Sequence, residues 1–117
     1  MARRVPLITL SFGESDTSKT SSPISNNPGV HQGQMVGFKV TMPNFTNAVT
    51  GTLSIIDSDG DTIYTSDSFD NNTTTVVMSL NVPLIEQEAV KVTLSGAPGS
   101  DGDVTVRIYY NPDLQIP

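Results

Sequence analysis

Residues 90 to 110 read Val90-Lys91-Val92-Thr93-Leu94-Ser95-Gly96-Ala97-Pro98-Gly99-Ser100-Asp101-Gly102-Asp103-Val104-Thr105-Val106-Arg107-Ile108-Tyr109-Tyr110, and their alternation decides the fold. Val90, Val92 and Leu94 fall on one side of an extended chain, with Lys91, Thr93 and Ser95 on the other. Beyond the glycine-rich loop 96–102, Val104, Val106, Ile108 and Tyr110 repeat the pattern against Thr105, Arg107 and Tyr109. Successive side chains leave a strand on opposite faces, so a two-residue period marks a strand with one face buried and one wetted.

The same period runs outward from this stretch. Ile8, Leu10 and Phe12 alternate with Thr9 and Ser11 in a first strand over 5–12. From Gln34, Val36, Phe38, Val40 and Met42 are expected on one face, opposite Met35, Gly37, Lys39 and Thr41. Leu53 and Ile55 point inward within 48–57, and Asp57-Ser58-Asp59-Gly60 turns that strand into the next, 61–66. The Asp-Gly pair supplies the positive φ of a tight hairpin. After Asp70-Asn71-Asn72, Val76, Met78, Leu80 and Val82 are expected inward, with Val82-Pro83 closing the strand. Only Leu84 to Val90 has room for a helical turn.

These readings predict an all-β chain: a single antiparallel β-sandwich of about seven strands with a long N-terminal arm. Residues 1–33 form the first strand and an extended arm, and 34–117 form the body, within one domain overall. Between 13 and 33 only Ile24 and Val30 are apolar candidates for burial, and a structureless stretch of that length in a compact domain is a functional or mobile one. At 117 residues with 36% apolar content the chain supports one modest core.

Composition narrows the function. Six Lys and Arg against twelve Asp and Glu give a net charge of −6. Nucleic acid and anionic membrane are therefore poor partners, because binding a phosphate backbone depends on cations that release its counterions. No apolar run is long enough to span a bilayer, and Met1-Ala2-Arg3-Arg4 is followed by no apolar signal core, so the protein is expected to be used without secretion. With no Cys, one His and no Trp, thiolate metal sites and the commonest sugar-stacking platform are excluded, and no cofactor is expected.

Chemistry-bearing residues are few. Asp57, Asp59 and Asp61 are the candidate metal ligands, since alternating carboxylates suit a hard cation. They fail the helix-loop-helix calcium pattern, because Gly60 precedes the third acid and Ser68 stands where a bidentate Glu is required. A hairpin turn with solvated acids is the plainer reading, and Asp101-Gly102-Asp103 repeats it. His31 lies in a polar loop without a nucleophile at a recognised spacing, and Glu86 and Glu88 read as two solvated acids beside a strand. Asn44-Phe45-Thr46, Asn71-Asn72-Thr73 and Asn72-Thr73-Thr74 match the glycosylation pattern and read as loop polarity. No catalytic residue emerges, and the chain is expected not to be an enzyme. Arg107 and Tyr109, outward on the last strand, and Arg3 and Arg4, at the head of an acidic chain, are the candidate interface residues, being of types enriched at protein contacts.

Two stretches, Thr52 to Ser66 and Val90 to Tyr109, resemble the small β-sandwich proteins of tailed-bacteriophage particles, in which an Asp-Gly hairpin precedes a Leu-Ser-Gly-x-x-Gly loop and a Val-Thr-Val strand. The resemblance implies a virion component on the capsid exterior: a decoration (cement) protein that bridges capsomers. Its partners would be the major capsid protein or other virion proteins, and it would be a homo-oligomer, with a trimer the expected form. A tail or neck adaptor is the alternative. A carbohydrate-binding module is a further one, with the aromatic content against it.

Overall fold

The computed structural model describes residues 3–24, 33–84 and 87–111. Ten strands and no helix lie among them: β1 (Arg3–Arg4), β2 (Ile8–Phe12), β3 (Ser18–Thr20), β4 (Gly33–Thr41), β5 (Thr50–Ile56), β6 (Thr62–Thr65), β7 (Phe69–Asp70), β8 (Thr74–Leu84), β9 (Ala89–Leu94) and β10 (Gly102–Asn111). Seven are four residues or longer, the number expected from the alternation. The short β1, β3 and β7 carry too few residues to announce a period.

The first sheet runs β1-β10-β4-β8, with β2 also paired to β10; the second runs β3-β9-β5-β6, with β7 also paired to β5. All pairings are antiparallel, and only β5 and β6 are both consecutive and paired. The two sheets pack face to face as a β-sandwich. Phe38, Val40, Val104, Val106 and Ile108 of the first sheet and Leu53, Ile55, Val90 and Val92 of the second are wholly buried. Each such side chain contributes about 1.5–3 kcal/mol on leaving water. The Phe38 ring meets Tyr64 edge-on, centroids 6.4 Å apart, which joins the two layers. Phe12 and Phe45 make a second edge-on contact at 6.2 Å.

Two strands depart from the expected phase. In β4, Phe38 and Val40 are buried as expected, as is Met42 just beyond it, but Met35 rather than Val36 joins them. The register slips between Met35 and Gly37 opposite β8, and between Tyr109 and Tyr110 opposite β4. Against β10, Val36 is the extra residue of a bulge, and one inserted residue exchanges the two faces; against β8 the surplus lies on β8, where residues 79–81 face Val36 alone. In β8, Val76 and Met78 are exposed, while Thr75 and Val77 turn partly inward. Ser79 has φ of 66°, and beyond it Leu80, Val82 and Leu84 turn toward the core. Pro83 does not end the strand, because β8 is an edge strand and an edge tolerates a missing N–H.

The stretch after β2 enters the second sheet. Ser18–Thr20 pair with β9, Ser21 N–H donates to the Val90 carbonyl at 2.8 Å, and Ile24 N–H donates to the Glu88 carbonyl at 2.7 Å. Ile24 is buried, as its apolar character suggested, and Val30 lies outside the described residues. Glu88 is buried rather than solvated, since this segment folds over the start of β9.

Ser66 knits β5 to the chain beyond β6. Its hydroxyl oxygen accepts the Leu53 N–H at 2.9 Å and its O–H donates to the Asp67 carbonyl at 2.8 Å. Ser66→Ala is expected to lower stability by about 1–3 kcal/mol, because it strands a buried N–H. Urea denaturation checks this as a fall in midpoint with an unchanged slope.

Candidate interaction face

Residues directly opposite in antiparallel strands share a face, so the register of the first sheet fixes what its outer face carries. One row is Arg4, Tyr109, Gly37 and Met78; the next is Arg107, Lys39 and Val76; the third is Thr9, Thr105, Thr41 and Thr74. The Thr41 and Thr74 hydroxyls lie 3.3 Å apart. Met78 lies across Gly37: a Cβ there would meet the Met78 Sδ and come within 2.5 Å of the Val77 carbonyl oxygen. Residue 37 must therefore be glycine for β4 and β8 to pair this closely.

Arg4, Leu7, Lys39, Thr105, Arg107 and Tyr109 line a shallow recess of about 210 Å³ on this face. Arg107 donates from Nη1 to the Val5 carbonyl at 3.5 Å. None of Arg4, Lys39 and Arg107 has a carboxylate partner among the described residues, whereas Lys19 pairs with Asp16 at 3.3 Å. A chain of net charge −6 thus gathers, on one sheet face, three cations with no carboxylate partner among the described residues.

Arg4, Arg107 and Tyr109, singled out in the sequence, come together here. The backbone of Arg3 pairs with Tyr110 in β1. Lys39, Leu7, Val76 and Met78 complete the face without having been singled out. Lys39 was legible as outward from the alternation, but the pairing that brings it beside Arg107 was not. Val76 and Met78 were assigned to the core, and the Ser79 irregularity puts them outside.

The acidic turn has a self-contained geometry. The Asp57 Oδ1 accepts the Asp59 N–H at 3.0 Å and the Asp61 N–H at 2.9 Å, while Gly60, at φ 87°, closes the reversal by donating its N–H to the Asp57 carbonyl. Ligand oxygens of Asp57, Asp59 and Asp61 lie within 4.8 Å of one another. Asp57 already serves the turn, as the hairpin reading expects. Asn71, in one of the glycosylation-pattern sites, is also engaged: its Oδ1 accepts the Phe45 N–H and its Nδ2 donates to the Phe45 carbonyl, both at 3.0 Å. His31 and Glu86 fall outside the described residues. A larger open groove of about 550 Å³ runs between β2 and residues 20–24, and neither it nor the recess is lined by a carboxylate or an imidazole among the described residues.

Asp16 is the carboxylate with the clearest perturbation. The Gly13 N–H, donating to its Oδ2 at 2.8 Å, and then Lys19 hold its pKa below the ordinary 3.8. A depressed acid stabilises the fold above its unfolded pKa, and that contribution disappears as pH falls through the folded value. An NMR titration is expected to place the Asp16 midpoint below the ordinary 3.8. Asp16→Asn is expected to remove the matching part of the acid-side loss of stability.

The fold defines the class: a two-sheet antiparallel β-sandwich whose distinguishing surface is a cationic sheet face on an acidic body. No family model matches the chain, and no curated protein matches it. Among solved structures it is similar to a chain in the structure of infectious bursal disease virus, Gx strain, with 13% identity and a TM-score of 0.35, covering 95% of this chain and 32% of that one. It is also similar to a mutant VP2 protein of infectious bursal disease virus from derived T=1 particles, with 14% identity and a TM-score of 0.32, covering 94% of this chain and 32% of that one. The chain thus spans about a third of the length of each. At these TM-scores the likenesses assign no role to any residue.

Proposed function

We propose that this chain is a non-enzymatic virion structural protein, a capsid decoration (cement) protein that binds the outer surface of a major capsid protein and bridges neighbouring capsomers. The observation that carries this reading is the free edge of β8. Its eleven residues, Thr74–Leu84, include no charged side chain, and among the described residues nothing pairs with its outer side. Sheets that work alone blunt such edges with charge, bulges or proline. In β8 the irregularity at Ser79 and Pro83 guard only the second half, leaving Thr74 to Met78 as an unguarded run. A neighbouring extended segment that adds to this edge gains main-chain hydrogen bonds, with side chains setting selectivity. The resemblance of Thr52–Ser66 and Val90–Tyr109 to phage particle proteins supports the virion setting.

The size of the surface suits bridging. The chain exposes 6321 Å², and a standard interface uses about 800 Å² per partner, so two or three neighbours can be contacted with surface to spare. Repeated round a shell, individually weak contacts add through avidity.

The test is quantitative mass spectrometry of purified particles, followed by heating particles with and without the protein. Copies on the scale of the capsomers, and an earlier loss of packaged genome when the protein is absent, are expected. Copies on the scale of a single ring would move the chain to the tail or neck. Particles that lack it, or that lose it without change in stability, would end the cement reading.

A further inference from the structure

We propose that the cationic outer face of the first sheet docks the Asp57–Asp61 turn of a second copy of this chain, forming a head-to-tail oligomer. This contact needs only the purified chain and stands apart from the virion reading.

Charge complementarity is the first ground. Arg4, Lys39 and Arg107 share the outer face with no carboxylate partner among the described residues, and Arg4, Lys39 and Arg107 all border one recess. At the tip of the β5–β6 hairpin, in the other sheet, three carboxylates cluster within 4.8 Å of one another, with Asp59 and Asp61 exposed. Two copies meeting face to face oppose cations to cations, and meeting turn to turn they oppose acids to acids. Face to turn is the attractive arrangement of the three. Salt at physiological strength screens charges beyond about 8 Å, so the overall −6 on each copy weakens this local match little.

The apolar surface gives an independent second ground. Among the described residues, the exposed large hydrophobic ones are Leu7, Ile63, Val76 and Met78. Leu7 borders the recess, and Val76 and Met78 sit in the rows with Lys39 and Gly37. Ile63 stands two residues beyond Asp61. Both halves of the contact therefore combine charge with exposed apolar surface. The turn is also held in shape beforehand by the two N–H groups bonded to the Asp57 carboxylate, which reduces the ordering cost of docking.

The geometry sets the kind and strength of assembly. A contact between two different patches is heterologous, closing into a ring or continuing as a filament. Four strands about 4.8 Å apart and about six residues at 3.3 Å each give a face of roughly 400 Å², half a standard interface side. Association is accordingly weak, reversible and sensitive to salt.

Sedimentation of the full chain over rising concentration, at about 0.15 M salt, where the net charge is screened, and at about 1 M salt, tests this. Self-association at the lower salt that is lost at the higher is expected. Lys39→Glu with Arg107→Glu, and separately Asp59→Lys with Asp61→Lys, are each expected to weaken association more than about tenfold. Mixing the two variants is expected to restore it as alternating assemblies of equal composition, which also shows that both fold. A wild-type chain that stays monomeric throughout overturns the proposal. So does an effect confined to the sheet-face variant, or a mixture that fails to associate. Particle binding by a monomeric chain would leave the virion reading in place while removing this one.

Discussion

Phe38→Ala is expected to lower the unfolding free energy by about 3–5 kcal/mol, as large-to-small changes at wholly buried aromatic positions do. Phe38 lies on β4 with none of its surface exposed, and its ring bridges to Tyr64 of the opposite sheet. Truncation opens a cavity between the layers and removes the edge-on contact at one stroke. A domain of this size is stable by roughly 5–15 kcal/mol in all, so much of the margin is lost. Urea denaturation should show a large fall in midpoint. Phe38→Leu, which keeps most of the volume, is expected to lose clearly less. Equal losses for the two would mean that Phe38 does not span the layers.

Gly37→Val is the second large effect, and it acts through backbone rather than core. A Cβ at residue 37 meets the Val77 carbonyl oxygen at 2.5 Å as well as the Met78 Sδ. A flexible sulfur can move aside, whereas a carbonyl held in the β4–β8 pairing moves only with its strand. Overpacking of this kind costs about 1–3 kcal/mol. Hydrogen exchange is expected to quicken over residues 74–78 more than over β9 or β5. Adding Met78→Ala should recover only part of the loss, because the Val77 carbonyl remains. Full recovery would place the clash on the side chain alone.

The sequence was most readable where apolar residues occupy a single phase. In β5, β9 and β10 the inward series Leu53–Ile55, Val90–Leu94 and Val104–Tyr110 are buried without exception. β8 offered apolar residues in both phases at Val76, Val77 and Met78, so alternation could not choose between them. The left-handed backbone at Ser79, which does choose, has no residue signature, since serine rarely marks that conformation. The bulge at Val36 is equally silent, because it exists to match β10 rather than anything local. β3 was hidden for another reason: Ser18-Lys19-Thr20 has no apolar period, and its place follows from β9, far away in the chain.

The candidate interaction face was legible in part, for the same physical reason. Alternation about Ile108 places Arg107 and Tyr109 outside, and alternation about Phe38 and Val40 places Lys39 outside. Their convergence depends on the pairings Arg107–Lys39 and Arg4–Tyr109, which join segments separated by most of the chain. Hairpin chemistry is local, and the reversal at Asp57–Asp61 that pairs β5 with β6 was accordingly legible.

The central claim is that this sandwich works by contact, through β8 and the sheet face beside it. A cryo-EM reconstruction of the native particle tests it most directly. The expected map shows the two-layer fold on the capsid exterior with Thr74–Met78 against a neighbouring chain. A map with that edge bare and open to solvent, or with no density for this chain at all, would contradict it.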